Sequence, residues 1–334
     1  MTISTQWNLV ARPSGEPTAS DVAKVEVELP PLAEGEVRVA NEFLSVDPYM
    51  RGRMNDVRSY TPPYALGEVM TGGAVGQVIE SRAAGLAVGD TVQSMLGWRD
   101  VAQAPASAFR PAPRLAELPL SLHLSVLGVT GLTAWVGLER VARMREGDVV
   151  FVSGAAGGVG TMVGQIARLK GASRVIGSAG SAEKLALLTD KYGFDAVFDY
   201  KKGDVIGQLE SAAPDGIDVY FDNVGGEHLE AALNSFNDGG RAALCGAISG
   251  YNVEGEAPGI RFMSNLVTRG LNLTGFTVGN YLDAAPAFRD DMTRWLAAGE
   301  IVFDETIVDG IENTFQAFTG MMHGANIGKM IVRI

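Results

Sequence analysis

Twelve residues near the middle of the chain limit its fold more than any others. They read Val149-Val150-Phe151-Val152-Ser153-Gly154-Ala155-Ala156-Gly157-Gly158-Val159-Gly160. The β-branched and aromatic run Val149–Val152 reads as a buried strand, and Gly158–Lys170 reads as a helix. Only small residues stand between them. Ala155-x-Gly157-x-x-Gly160 is the dinucleotide fingerprint with alanine in its first place. The first small residue permits a tight turn. Gly157 lets backbone approach a pyrophosphate, and Gly160 lets helix and strand pack closely. The N–H groups and positive dipole end of the helix then face the phosphates. A plain strand–helix turn would explain the glycines alone, but the βα units that follow favour the nucleotide reading.

Those units run on in alternation. Arg174–Ile176, Ala196–Phe198, Asp218–Asp222, Arg241–Cys245 and Leu271–Phe276 read as strands. Helices are expected from Ser181, which suits an N-cap, and at Val205–Leu209, Glu227–Phe236 and Pro286–Ala298. Leu127–Val141 has helical periodicity ahead of them. Alternation of this kind predicts an α/β fold with a doubly wound parallel sheet. The first third is different. Val22–Leu29, with Ala23, Val25, Val27 and Leu29 on one face, and then Glu36–Val46, Gly73–Glu80 and Thr91–Met95 predict a small β-rich domain. Strand character returns at Ile301–Phe303 and Ile327–Val332, so the tail is expected to pack back on that first domain. A length of 334 residues suits two domains.

Composition removes several classes of function. The formal net charge is −12, which disfavours a nucleic-acid partner. The single cysteine, Cys245, rules out an intrachain disulfide and a multi-thiolate zinc site, and it reads as an inert core thiol. His123, His228 and His323 are widely spread, so no metal is expected. No Gly-x-Ser-x-Gly elbow anchors serine hydrolysis. No apolar stretch is long enough for a membrane span. Met1–Arg12 has neither a basic start nor an apolar core, so no signal peptide and a cytoplasmic location are expected.

Cofactor choice turns on the end of the second strand. A site for NAD usually places an acid there, about 20 residues beyond the glycines, on the ribose hydroxyls. Here the run is Val175-Ile176-Gly177-Ser178-Ala179-Gly180-Ser181, with Lys184 one turn later. A neutral, hydroxyl-bearing loop that includes Ser178 and is backed by Lys184 suits a 2′-phosphate, so NADPH is expected. Two further strand ends fall on the same edge. Asn223, in Asp222-Asn223-Val224-Gly225-Gly226, can bond ribose or nicotinamide. Tyr251, in Gly246-Ala247-Ile248-Ser249-Gly250-Tyr251, can offer a phenol to a substrate oxygen. From the residues alone, a turn asparagine and a loop tyrosine are equally good readings.

Several separated motifs, in order, resemble the zinc-independent medium-chain dehydrogenases/reductases. Within that family the chain looks like the branch of prostaglandin, alkenal double-bond and curcumin reductases. The motifs are Leu44-Ser45-Val46-Asp47-Pro48-Tyr49-Met50-Arg51-Gly52-Arg53-Met54, Gly128-Val129-Thr130-Gly131-Leu132-Thr133-Ala134-Trp135, Phe221-Asp222-Asn223-Val224-Gly225-Gly226, Cys245-Gly246-Ala247-Ile248-Ser249-x-Tyr251-Asn252 and Gly324-Ala325-Asn326-Ile327-Gly328-Lys329. The resemblance implies a GroES-like catalytic domain over 1–126 and 300–334. It implies a Rossmann NADPH-binding domain over 127–299, with a cleft between the two. It also implies cofactor contacts from Ala155, Gly157, Gly158, Val159, Gly160, Ser178, Lys184, Tyr200, Asn223, Gly246, Tyr251 and Asn326. Tyr251 and Tyr49 would be the active-site tyrosines. A homodimer would form at the edge Leu271–Phe276. Two departures stand out. Asp304 is an acid where many relatives carry basic or polar residues, and the loop Asn55–Leu66, with Tyr60 and Tyr64, is expected to rim the pocket.

The reaction implied is reduction of the carbon–carbon double bond of an α,β-unsaturated aldehyde or ketone. Charge would develop on the carbonyl oxygen as an enolate, with Tyr251 stabilising it. The alternatives are an NADPH:quinone reductase and an NADPH-binding protein without turnover.

Overall fold

In the computed structural model, residues 1–115, 118–255 and 258–334 are described. The chain divides into two compact units, Met1–Gly128 with Glu305–Asn326 and Met330–Ile334, and Val129–Asp304 with Ile327–Lys329.

Unit 1 is built on β1 (Thr2–Leu9), β2 (Val22–Leu29), β3 (Glu36–Ser45), β4 (Ala74–Ser81), β5 (Thr91–Ser94), β6 (Val101–Pro105) and β7 (Arg110–Pro111). Unit 2 supplies β8 (Val149–Val152), β9 (Arg174–Ala179), β10 (Ala196–Asp199), β11 (Ile217–Asp222), β12 (Phe236–Leu244) and β13 (Asn272–Gly275). From the tail come β14 (Glu305–Asp309) and β15 (Lys329–Arg333), which extend the large sheet of unit 1 in the order β14-β15-β3-β4-β5-β7. There β15 runs antiparallel to β3, with Ile331 opposite Ser45. The buried Arg38 cross-links this unit. Its guanidinium donates to Gln103 Oε1 at 2.8 Å, Thr2 Oγ1 at 3.0 Å and the Pro30 carbonyl at 2.8 Å, and it pairs with Glu80.

The sheet of unit 2 is wholly parallel, in the order β10-β9-β8-β11-β12-β13. Counted within the unit this is 3-2-1-4-5-6, the doubly wound dinucleotide-binding order. Its switch point lies between β8 and β11. Central strands of such a sheet are covered on both faces, which explains why Val150, Phe151, Val152, Val219, Tyr220 and Phe221 are all apolar or aromatic and fully buried. Phe151 stacks on Tyr220 with ring centroids 5.0 Å apart and on Phe198 at 5.6 Å.

Three expectations change in detail. Ile301–Phe303 is not a strand; the strand is β14, four residues further on. The backbone of Val302 is instead held by the Gln165 side chain, which accepts from its N–H at 2.8 Å and donates to its carbonyl at 2.9 Å. The helix expected at Leu127–Val141 starts at Val129 as α1 of the nucleotide unit (Val129–Val136) and ends in a π turn, Gly137–Val141. On β2, Val27 is exposed, while Ala23, Val25 and Leu29 are half-buried.

The histidines fall as structural or surface groups. His123 Nε2 lies 2.9 Å from the Pro113 carbonyl, and His323 pairs with Glu16. His228 is buried, stacked on Phe151 and edge-on to Tyr200 at 5.3 Å. Burial pulls its pKa from 6.5 down to about 4. Between those values the unfolded chain binds a proton that the folded chain refuses. Stability is therefore full above pH 6.5 and falls as the pH drops through that window, by about 3 kcal/mol from this group. We expect the urea midpoint to fall between pH 7 and pH 4.5, and a His228→Phe variant to lose that share of the slope. Identical pH profiles for the two proteins would contradict the assignment.

Candidate active site

The nucleotide edge begins where β8 ends. Gly154 takes φ +58°, and the chain enters α2 (Gly158–Leu169) with Gly157 as its N-cap. Glycine offers no capping side chain, so the first-turn N–H groups keep no side-chain acceptor. A Cβ on Gly160 would lie 2.4 Å from the Gly154 carbonyl oxygen and 2.7 Å from Ala155 Cα. No other residue lets the helix start so near the strand end. A Cβ on Gly157 would meet only Gly154 O, at 3.4 Å, so its outer face stays open to a ligand. This is a phosphate cradle by construction, and it fits a dinucleotide diphosphate.

The end of β9 supplies the second part. Ser178 is fully buried, its carbonyl accepts from Ala155 N at 2.9 Å, and its Oγ has no hydrogen-bond partner among the described residues. Ser181 caps the helix α3 (Ala182–Asp190), accepting from Lys184 N at 3.3 Å. Burial, and then the nearby Lys201 ammonium, pull the Lys184 pKa down, against a smaller raising effect from Glu183. Two ammonium groups close enough for one to act on the other make a place where an anion is favoured. Tyr200 completes this corner: a side chain on Gly180 would meet its hydroxyl at 2.9 Å and Lys201 Cε at 2.8 Å.

Across the switch point, Asp222 organises the next loop. Its buried Oδ1 accepts from Tyr220 Oη at 2.7 Å, Ser153 Oγ at 3.1 Å, Val224 N at 2.9 Å and Gly225 N at 2.7 Å. Asn223 is locked beside it, with N bonded to Ser153 Oγ at 2.9 Å and Nδ2 to the Ser153 carbonyl at 2.8 Å. The following loop folds onto this one. Gly246 N donates to the Asp222 carbonyl at 3.0 Å, and a Cβ on Gly246 would sit 3.3 Å from Tyr251 Oη. Tyr251 Oη accepts from Ala247 N at 3.4 Å. Burial raises the phenol pKa more than that bond lowers it, so Tyr251 keeps its proton as a donor at neutral pH. Cys245 is half-buried rather than a core residue, and desolvation and then Asp222 push its thiol up to about 12, so it stays protonated and inert.

Ala155, Gly157, Gly158, Val159, Gly160, Ser178, Lys184, Tyr200, Asn223, Gly246 and Tyr251 all lie in unit 2, at the carboxyl end of its sheet. Tyr49 and Asn326 belong to unit 1. Asn326 is buried. Tyr49 opens a short helix, Tyr49–Arg53, and its Oη is buried with no hydrogen-bond partner among the described residues. Burial, then Asp47, push its pKa up. Tyr64 is not at a rim. It is a core residue whose hydroxyl donates to the Thr71 carbonyl at 2.5 Å, under Arg53 at 4.0 Å. Tyr60, in the same loop, is exposed. Ser153, Lys201 and Asp222 escaped the sequence reading. A hydroxyl directly after β8 and an acid as the last residue of β11 were the signals available. Among the described residues, no three His, Cys, Asp or Glu side chains gather as metal ligands.

Residues 5–111 match the family described as the N-terminal domain of oxidoreductase, and residues 158–298 that described as zinc-binding dehydrogenase. The chain is 38% identical over 336 residues to the NADPH-dependent curcumin reductase of Escherichia coli, covering 98% of this chain and 96% of that protein. It is 38% identical over 331 residues to the 2-alkenal reductase (NADP(+)-dependent) of Nicotiana tabacum, covering 96% and 94%. The crystal structure of CurA in complex with NADPH from Vibrio vulnificus superposes with a TM-score of 0.92 at 41% identity, covering 98% of both chains. The fold is thus a GroES-like β-rich domain with a Rossmann domain.

Gly160 gives the sharpest test of the cradle. Gly160→Val should force α2 off the end of β8, lower stability by about 1–3 kcal/mol and abolish dinucleotide binding. Thermal melting and a titration with reduced dinucleotide would read both, and wild-type affinity would refute the close-approach argument.

Proposed function

We propose that this chain, which belongs to the medium-chain dehydrogenase/reductase family in the branch of the prostaglandin, alkenal and curcumin reductases, is an NADPH-dependent enone reductase. It reduces the carbon–carbon double bond of α,β-unsaturated aldehydes or ketones. The observation that carries the reading is the convergence, at one sheet edge, of the open cradle, the Lys184–Lys201 corner and a protonated Tyr251 phenol. The relatives named above support it, being reductases of the same length with NADP-type cofactors.

NADPH fits the residues present. Gly157, Gly158, Val159 and Gly160 would hold its diphosphate on backbone N–H groups. Ser178, Lys184 and Tyr200 would hold the adenosine end, where β9 ends without an acid to claim the ribose hydroxyls. Asn223, Gly246 and Asn326 would contact the nicotinamide half. When bound, the cofactor supplies the hydride equivalent. The protein's own part is to place the acceptor and answer the charge that develops on its carbonyl oxygen. Tyr251, with its oxygen already accepting from Ala247 N, has its O–H free to donate to that oxygen as it becomes an enolate. A donor matched to the enolate better than to the ground-state carbonyl lowers the barrier. Tyr49 offers a second phenol, whose buried hydroxyl a substrate oxygen would satisfy. Protonation of the α-carbon from water completes the reaction.

The chain is expected to work in the cytoplasm as a homodimer. The edge strand β13, with Asn272, Thr274 and Gly275 exposed, offers the pairing surface.

Tyr251→Phe should lower kcat for enones by ~10²–10³ while NADPH affinity stays within a few-fold. Wild-type turnover in this variant would remove Tyr251 from the mechanism. Lys184→Ala should raise the KM for NADPH about tenfold, the loss of one charge-assisted bond, and barely move the KM for NADH. Equal effects on both cofactors would count against a 2′-phosphate role.

A further inference from the structure

Asp304 sits at a junction of several segments of unit 2. Its carboxylate accepts from Lys191 Nζ at 2.7 and 2.8 Å and from the Tyr192 hydroxyl. Its carbonyl accepts from Lys329 N at 3.0 Å. Next to Lys329, Gly328 donates to the Ala156 carbonyl at 2.9 Å and forms a parallel bridge with Gly157, the N-cap of the cofactor helix. Gly328 has φ +64°, and a Cβ there would lie 2.0 Å from the Asp304 carbonyl oxygen. Contact of this closeness leaves the two segments no freedom to slide. Two residues before Asp304, Val302 is gripped on both backbone groups by Gln165 of α2. Lys191 is the C-cap of α3, whose other end carries Ser181 and Lys184.

We infer that Asp304 is a positioning residue for the cofactor. Asp304 ties the C-terminal end of α3, through its carboxylate, to the 327–329 segment that backs the glycine loop, through its backbone carbonyl. The 327–329 segment, and with it the phosphate cradle that both cofactors use, is thereby held in place against α3. This rests on the NADPH reading above. The half-exposed Lys191–Asp304 pair contributes little stability by itself. Its worth lies in which pieces it joins. Burial and the adjoining carboxylate raise the Tyr192 pKa, so that hydroxyl remains a donor across the working range.

Charge alone predicts the opposite of positioning. A carboxylate near a site for a polyanion repels it, so neutralising Asp304 would tighten NADPH binding if electrostatics were its only role. The test is direct fluorescence titration of NADPH and NADH into the full-length protein, with melting temperatures recorded. Asp304→Asn should weaken both cofactors by roughly tenfold, because the cradle serves both. The loss should fall on the KM for NADPH rather than on kcat, and Asp304→Glu should recover part of it. A folded Asp304→Asn that binds NADPH as tightly as wild type, or more tightly, overturns the inference. So does a loss confined to NADPH. If Asp304→Asn does not fold, Tyr192→Phe removes one bond to the carboxylate without a charge change. It should shift both affinities the same way, and unchanged binding there overturns the inference equally. Failure of the wild-type chain to bind either nucleotide would instead overturn the functional reading, and this one with it.

Discussion

The nucleotide half of this protein depends on how near a helix can start to the strand that precedes it. At Gly160 the answer is backbone contact, with no room for a methyl group between the helix and Gly154–Ala155. That closeness decides where the first turn of α2 points and leaves its N–H groups facing outward rather than into a capping side chain. Everything else on the edge is placed relative to that turn. Ser178 lies against it through Ala155 N, and Asn223 through Ser153. Buried Asp222, with four donors on one oxygen, prevents the loop after β11 from relaxing away.

The electrostatics are local against an opposing background. A chain with net charge −12 repels an anionic cofactor at long range. Screening limits that repulsion to about 8 Å at physiological salt. Inside that distance Lys184 and Lys201 decide, and partial burial gives Lys184 more weight than a surface cation would have. His228 lies beneath Tyr200 but stays neutral, so it lends shape to this corner without adding charge.

Much of this could be read from residue patterns. β2 and β8 fall at the expected bounds, Ser181 caps its helix as a serine in that place should, and the glycine loop sits between strand and helix. These are local signals, set by periodicity and by the few residues that turns accept. What stayed hidden was pairing. Ile301–Phe303 has a strand's composition, yet its backbone partner is a glutamine side chain 137 residues away in sequence. β1 carries too many polar residues to announce itself, and β6 is a short, alanine-rich run that closes on a proline; both exist because β2 and β3 are there to pair with them. Asp222 and Tyr49 show the same limit at the site. A sequence shows that an acid or a phenol is present. It does not show that one is saturated with donors while the other has no hydrogen-bond partner among the described residues.

The pairing of β15 with β3 has a consequence for how the chain comes into being. Ser45 waits for Ile331. At a ribosomal pace of ~5–20 residues per second, that interval is about 15–60 seconds. During it the later half of β3 exposes an unpaired edge, while Val129–Asp304 has already emerged with nearly all of its own sheet contacts available. The order of completion on the ribosome is therefore the reverse of the order of synthesis, with the inserted unit closing first and the N-terminal unit last. For that interval the nascent chain carries a strand edge open to the wrong partner, which makes the later half of β3 the place where a holding chaperone would matter most.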